Sequence, residues 1–385
     1  MPFTQTERVD HAPKRATETE FAFLDRCAWP AVELVRQLVK VCLAEYPAAE
    51  RAELIARLSS GDARHFASAT FEIFLHEYLR RLGFQLLPHP ELPNGRPTRP
   101  DFLVTCPNGQ SMYLEAVCAS DDTGRNIAAE ARKAVALQML DSANHSDFMV
   151  SIESEGEPTT QPSGRRLARA VVRWLDTLDA DALLERAAQG YEALPEMVWQ
   201  HEEWRVRVRP IPVKPEARGR PRRLIGARSF GAGWIDGWTP IRDAVMFKAR
   251  RYGELDLPLV VAVNVDTFHL DPIDEVQALF GQEQFVFAVG GERSEPRFER
   301  DPNGAWRGPS GPRGRQCGGA WLFDNFSPYT VARRGQRLYL NPWAHRPVPD
   351  AFLLMPHAVV VDHRIQSVDG QSFRDVFELP EQWPE

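Results

Sequence analysis

Lysine is scarce in this chain of 385 residues: only five of its 46 basic residues are lysine, and the others are arginine. Its five cysteines are odd in number and include no Cys-x-x-Cys pair, so the sequence indicates neither a disulfide framework nor a zinc site. No run reaches the roughly 18 apolar residues that a membrane-spanning helix needs. Residues 1–14 are polar and lack an apolar signal segment. We therefore expect a cytoplasmic protein without a membrane partner.

Several classes of function are disfavoured by what is missing. The chain has no Walker A sequence, no Gly-x-Ser-x-Gly elbow and no His-Glu-x-x-His motif. A net charge of -7 argues against a surface that is basic throughout, although it leaves room for a local basic groove.

The hydrophobic pattern predicts an α/β protein with a mixed central sheet flanked by helices and an N-terminal helical region. The run LPLVVAVN at 257–264 is continuously apolar, as is typical of a strand buried on both faces. We expect three parts: a disordered tail and helical region at 1–60, a core at 61–152, and an α/β extension at 153–385. The extension contains a basic strand and loop at 203–228 and the buried strand at 257–264.

The segment from Phe66 to Ser120 carries the most informative pattern. Apolar residues at three- and four-residue spacing predict a helix, and Gly83 suits its C-terminal cap. Two strand-like runs follow, joined at an Asn108-Gly109 turn, which predicts a hairpin. A two-residue turn there pairs Asp101 with Ala116. Asp101 and Glu115 would then be neighbours but one residue out of register, so a bulge or sheet twist must correct the pairing.

The order of helix, strand, Pro-Asp strand, turn and acid-bearing strand resembles the PD-(D/E)xK nuclease superfamily, also called restriction-endonuclease-like. Glu72 on the helix, Pro100-Asp101 and Glu115 match its motif, over Phe66 to about Ile152. The family lysine that follows the third-strand acid is replaced here by Val117. The resemblance implies a restriction-endonuclease-like core, Mg²⁺ or Mn²⁺ as cofactor, and hydrolysis of DNA phosphodiesters.

In that interpretation Asp101 and Glu115 are metal ligands and Glu72 assists them. Magnesium prefers oxygen ligands and keeps several waters, so two or three carboxylates are a sufficient protein contribution. The alternative is that Asp101 merely follows a proline at a strand entrance while Glu115 lies on a solvated strand face. His76, four residues after Glu72, is more typical of a packed helical histidine than of a ligand.

A catalytic protein without the motif lysine needs a cation from another element. The helix that follows the acid-bearing strand carries Lys133, and we favour it because that helix is expected to pack across the hairpin. Lys248, on the helix before the buried strand, is the other lysine, and Arg125 is the arginine alternative. Lys133 could equally be an ordinary exposed helix residue.

Arg205, Arg207 and Arg209 alternate with apolar residues and predict a strand with one basic face. This face would either follow DNA phosphates or form salt bridges within the protein. The leading hypothesis is a magnesium-dependent nuclease acting on DNA. Its rivals are an inactive nuclease fold that binds nucleic acid or a protein partner, and a structural α/β protein whose acids are incidental. A homodimer is compatible with each.

Overall fold

The computed structural model describes residues 2–15, 18–120, 127–187, 190, 193–220, 223–229, 237–266, 270–286, 297–361 and 364–385. The chain divides into two compact units. Unit 1 comprises 1–12, 19–123 and 236–385, and unit 2 comprises 13–18 and 124–235. The boundary predicted at residue 152 therefore falls inside unit 2. The predicted extension is shared between the two units.

The described residues form helices and strands that are numbered in chain order. The helices are α1 (Glu20–Arg26), α2 (Pro30–Glu45), α3 (Arg51–Ser59), α4 (Ala63–Arg81), α5 (Ile127–Asp141), α6 (Gly164–Leu175), α7 (Ala180–Ala187), α8 (Trp238–Arg251), α9 (Pro272–Phe280) and α10 (Phe373–Phe377). The strands are β1 (Gln85–Pro88), β2 (Phe102–Thr105), β3 (Ser111–Ser120), β4 (Phe148–Glu155), β5 (Met197–His201), β6 (Trp204–Pro212), β7 (Ile225–Ser229), β8 (Leu259–Asp266), β9 (Glu283–Val286), β10 (Arg297–Arg300), β11 (Arg307–Gly308), β12 (Gly311–Pro312), β13 (Cys317–Asp324), β14 (Gln336–Leu340), β15 (His357–Val361) and β16 (Arg364–Val368).

Unit 1 is built on an eight-stranded sheet in the order β1-β2-β3-β8-β13-β14-β15-β16. Parallel pairs join β3 to β8, β8 to β13 and β14 to β15, whereas the other neighbours are antiparallel. The sheet is mixed and helices flank it, which confirms the predicted fold class. No described helix is long and apolar enough to cross a membrane.

The two faces of this sheet support separate hydrophobic clusters. Val260 and Ala262 of β8 pack in a cluster with α2 and α4, while Val261 and Val263 pack in another with α8 and α9. Every residue of β8 except the last is buried, because strand side chains alternate between two covered faces. The prediction that this strand is buried on both faces is confirmed.

Helix α4 lies across the first of these faces and begins and ends as its sequence indicates. The Asp62 side chain caps the helix by accepting from Arg64 N at 2.8 Å. After the helix, Gly83 has a φ of 89°, a left-handed conformation that glycine adopts without steric penalty. The chain then turns directly into β1.

The N-terminal residues differ from the disordered tail that was expected. Within unit 1, Asp10 forms a bridge with Cys27, and the backbone amide of Thr4 donates to Asp25 Oδ1 at 2.7 Å. Arg8 also pairs with Asp25. The polar residues before α1 show no periodicity from which these contacts could be predicted.

Unit 2 has a four-stranded sheet in the order β5-β6-β4-β7. The apolar residues Trp204, Val206 and Val208 of β6 are buried in its core, together with residues of α5 and α6. The alternation predicted for this strand is confirmed by its burial pattern.

Candidate active site

The β2–β3 hairpin is joined by a turn one residue longer than predicted. Cys106 N donates to Gln110 O at 2.7 Å, so these two residues pair and three residues lie between them. Gly109 has a φ of 85° in this turn. A three-residue loop with a left-handed glycine is a common hairpin connection, and it moves the pairing by one position. The predicted register was therefore wrong by one residue.

The observed register brings the two predicted acids level with each other. Phe102 pairs with Leu114, and the same register continued by one residue places Asp101 opposite Glu115. The Asp101 side chain accepts a hydrogen bond from Ala116 N, 2.6 Å from Oδ2. The bulge that the prediction needed is not required, because the turn itself supplies the correction.

Glu115 is only 2% exposed, and α8 holds its carboxylate. Lys248 Nζ donates to Oε1, and the hydroxyl of Tyr252 donates to Oε2. Arg251 Nη1 lies 4.0 Å from Oε1. Helix α8 reaches this position because it leads into β8, which pairs in parallel with β3 and places Val261 beside Glu115. Tyr252 was missed at the sequence level, although it follows Lys248 by one helical turn.

Glu72 is likewise 2% exposed, but its carboxylate is satisfied from the N-terminal helices. Tyr46 OH donates to Oε1 at 2.7 Å, and Arg57 Nη1 donates to Oε2 at 2.7 Å. Arg57 Nη2 also donates to Ser68 Oγ at 3.0 Å. These two residues were missed at the sequence level, because nothing in the pattern before residue 60 distinguishes Tyr46 and Arg57 from packing residues.

The other two acids act on Asp101 electrostatically. Burial raises the pKa of Asp101 to about 8, and the charges of Glu115 and Glu72 act in the same direction. The hydrogen bond from Ala116 N and the charge of Lys248 oppose that shift. Burial also raises the pKa values of Tyr46 and Tyr252, and the carboxylate beside each hydroxyl adds to the effect. Both phenols are therefore neutral hydrogen-bond donors at pH 7.

The donor set fits a metal ion that takes few protein ligands. Each oxygen of a carboxylate has two lone pairs, so Glu115 keeps acceptor capacity beside Lys248 and Tyr252. Asp101 feels repulsion from two neighbouring carboxylates, which a divalent cation would relieve. No group of three or more His, Cys, Asp or Glu side chains in the described part of the chain could by itself hold a metal. Magnesium, which keeps several waters and is often held by one or two carboxylates, suits such a pair.

Lys133 lies in unit 2, whereas the segments that form this cluster belong to unit 1. Its ammonium pairs with Glu130 at 2.6 Å on the same helix, and α5 packs against α6. At the sequence level Lys133 is favoured as the replacement for the motif lysine, on the expectation that α5 packs across the hairpin, with Lys248 as the other lysine. Lys248 is the lysine that contacts Glu115. Arg125, the third alternative, lies outside the described residues.

His76 points into the core rather than toward a ligand. It is 3% exposed, with its ring centroid 4.6 Å from that of Tyr46 and 6.1 Å from that of Phe102. Burial lowers its pKa to about 4, so the imidazole is neutral at pH 7. The expectation that this histidine is a packing residue agrees with these contacts.

The arginines of β6 face acids of neighbouring segments. Arg207 pairs with Glu153 and Glu155 of β4 at 3.6 and 3.2 Å, and Arg209 pairs with Glu196 at 3.0 Å. Arg205 lies 3.8 Å from Glu155. These pairs follow from the antiparallel register, in which Glu153 is opposite Arg207. The salt-bridge alternative thus has direct contacts, while the DNA-binding role of this face stays a prediction.

A scan against protein-family models found no match, and searches of curated proteins and of solved structures found none either. The resemblance to the PD-(D/E)xK superfamily therefore depends on the residues of this chain alone. The chemistry of the site has to be inferred from the geometry of the Asp101, Glu115 and Lys248 cluster.

Proposed function

We propose that this chain is a metal-dependent nuclease that hydrolyses DNA phosphodiester bonds, with a PD-(D/E)xK-like core. The observation that carries the proposal is the contact of Lys248 with Glu115 beside Asp101. The motif has an acid pair and a lysine in one place, and here α8 supplies the lysine that the third strand lacks.

Asp101 and Glu115 would hold the metal, which we take to be Mg²⁺ or Mn²⁺. When bound, the metal would polarise the phosphate and lower the pKa of a coordinated water. Lys248 brings a positive charge to the edge of the acid pair, where it can orient a water and stabilise negative charge developing on the phosphate. Tyr252 acts as a positioning residue, because its hydroxyl fixes the second oxygen of Glu115.

The deciding experiment is single-turnover cleavage of linear and plasmid DNA in Mg²⁺. Lys248→Ala is expected to lower the rate by about 100-fold or more, the usual effect of removing one donor to a developing charge. Lys133→Ala is the matched control and should retain the wild-type rate. Lys248→Gln, which keeps a hydrogen-bond donor for Glu115, separates the loss of charge from a loss of folding. A wild-type rate in Lys248→Ala, with loss in Lys133→Ala, would transfer the role to α5.

The second candidate is a nuclease fold that binds nucleic acid or a protein partner without cleaving. One observation favours it: the oxygens of Glu115 and Glu72 are already engaged by internal donors. Calorimetric titration with Mg²⁺ and Mn²⁺ separates the two. Binding that Asp101→Asn abolishes supports the nuclease, whereas no binding and no cleavage support the inactive fold.

A further inference from the structure

At the end of the unit 1 sheet, helix α9 packs against one face of β14, and the same face of the sheet continues beyond it into β15 and β16. Arg337 and Tyr339 of β14 share this face with Val360 of β15 and Ile365 of β16, because the registers pair Ala358 with Tyr339 and Val360 with Ile365. Helix α9 stands along one side of it. The result is an open groove with a volume of about 1070 Å³.

The groove combines an apolar interior with cationic edges. Phe280 and Trp343 line it from α9 and from the chain after β14, with ring centroids 6.2 Å apart. Arg307 and Arg364 are exposed at its rim. Glu283 and Glu299 also line it, and Glu283 already pairs with Arg300 at 2.6 Å. The rim therefore offers guanidinium groups beside an aromatic surface.

Two residues that line the groove, Arg337 and Tyr339, are fixed by a carboxylate of α9. Glu275 is buried, and its Oε2 accepts from Tyr339 OH at 2.6 Å and from Arg337 Nη1 at 3.1 Å. Arg337 also donates to the hydroxyl of Tyr339 at 3.3 Å. A guanidinium fixed in this way loses little freedom when it binds an anion, which favours affinity.

We propose that this groove binds a nucleoside phosphate, with the base against Trp343 and Phe280 and the phosphate on Arg364, Arg307 and Arg337. Guanidinium groups bind phosphate oxygens in a bidentate manner, and aromatic side chains stack on nucleobases without demanding a particular base. The planar base of such a ligand matches the aromatic interior of the groove, and its phosphate matches the arginines. The groove is formed by strands other than β2 and β3, so the inference does not depend on nuclease activity.

A base with an adjoining phosphate occurs both in a free nucleotide and in an unpaired DNA strand. Calorimetric titration of the full chain with adenosine 5'-monophosphate, without divalent metal, tests the first source, and a short single-stranded oligodeoxyadenylate tests the second. Saturable binding of either probe supports the groove when substitutions of groove residues weaken it, and the ligand that binds in this way identifies the source. Adenosine and inorganic phosphate, each carrying half of the chemistry, should bind at least about tenfold more weakly than the nucleotide.

Variants assign the binding to the groove. Arg364→Ala and Trp343→Leu should each weaken it by about tenfold or more, while Arg374→Ala, at an exposed arginine on α10, should leave it unchanged. Lys248→Ala should leave binding of the free mononucleotide unchanged, because Lys248 lies at the acid cluster and not in the groove. Loss in Lys248→Ala alone would place the ligand at the acid cluster and overturn the inference.

Three further results would also overturn it: no binding of either probe, equal binding of adenosine and the nucleotide, or equal binding in Arg364→Ala and the wild type. Sedimentation checks the competing occupant, a second copy of the chain. A dimer that Trp343→Leu converts to a monomer would make the groove a subunit interface instead.

Discussion

Glu115 and Asp101 are both carboxyl side chains, but they differ in what holds them. Glu115 is buried against Lys248 and Tyr252, while Asp101 meets two like charges and one backbone amide. Repulsion among clustered carboxylates, taken alone, predicts that removing either acid leaves the fold intact or slightly stabilised. Because Glu115 accepts from the side chains of Lys248 and Tyr252, whereas Asp101 accepts from a backbone amide, the two substitutions have different expected effects.

We expect Glu115→Ala to lower the free energy of unfolding by about 3 kcal/mol, because it leaves the charge of Lys248 and the hydroxyl of Tyr252 without their acceptor. Asp101→Asn should leave that free energy unchanged or raise it, since it removes the cost of holding a third acid, protonated or repelled, beside Glu115 and Glu72. Urea unfolding of both variants without divalent metal measures the difference. Equal stability of Glu115→Ala and the wild type would mean that these hydrogen bonds do not form.

The buried ring of His76 predicts a loss of stability in acid. Its folded pKa of about 4 lies below the ordinary value near 6.5, so the stabilisation is present above pH 6.5 and is lost as pH falls toward 4. His76→Phe should remove this part of the pH dependence, worth about 2–3 kcal/mol across that window. Unfolding at pH 7 and pH 4.5 measures it, with His65→Gln, exposed on the same helix, as the control. Parallel pH profiles for wild type and His76→Phe would refute the assignment.

At the scale of elements, the sequence predicts individual helices, strands and turns but not which strands become neighbours in the sheet. The spacing of apolar residues, the helix-capping residues and the turn residues indicated α4, the hairpin and the buried strand at 257–264. Each of these signals acts within a few residues along the chain. The position of Lys248 beside Glu115 needs β8 to pair in parallel with β3, across more than a hundred intervening residues. No local pattern encodes that neighbour. The register of the hairpin was predicted wrongly for a smaller reason. The left-handed Gly109 belongs to a three-residue turn, which moves the pairing by one position.

The left-handed conformation of Gly109 makes a test of the hairpin. Gly109→Ala should lower the free energy of unfolding by about 1 kcal/mol, the usual penalty for a Cβ at positive φ. Gly335→Ala is the matched control: neither glycine has an atom within 4 Å of an added Cβ, but only Gly109 has a positive φ. The control should be neutral or slightly stabilising. An equal effect of both substitutions would argue against the three-residue turn.

On the scale of the whole molecule, the candidate site is assembled from separated parts of one unit. Glu72 and Asp101 come before residue 123, and Lys248 and Tyr252 come after residue 236, so the chain leaves unit 1 to build unit 2 and then returns. Unit 2 contains Lys133 and the arginines of β6. The two hypotheses about the missing lysine therefore belong to different units.

Replacing residues 124–235 by a flexible Gly/Ser linker removes Lys133 and Arg205, Arg207 and Arg209 but keeps Asp101, Glu115 and Lys248. We expect unit 1 to unfold cooperatively without unit 2, because its sheet and both hydrophobic clusters belong to unit 1 alone. Calorimetry should then show Mg²⁺ binding as in the full chain, and Asp101→Asn in the shortened chain should abolish it. A folded variant that no longer binds metal would show that unit 2 contributes to the site. Retained metal binding with weaker DNA binding would instead assign unit 2 to holding the substrate, because the arginines are lost while the acid cluster is unchanged.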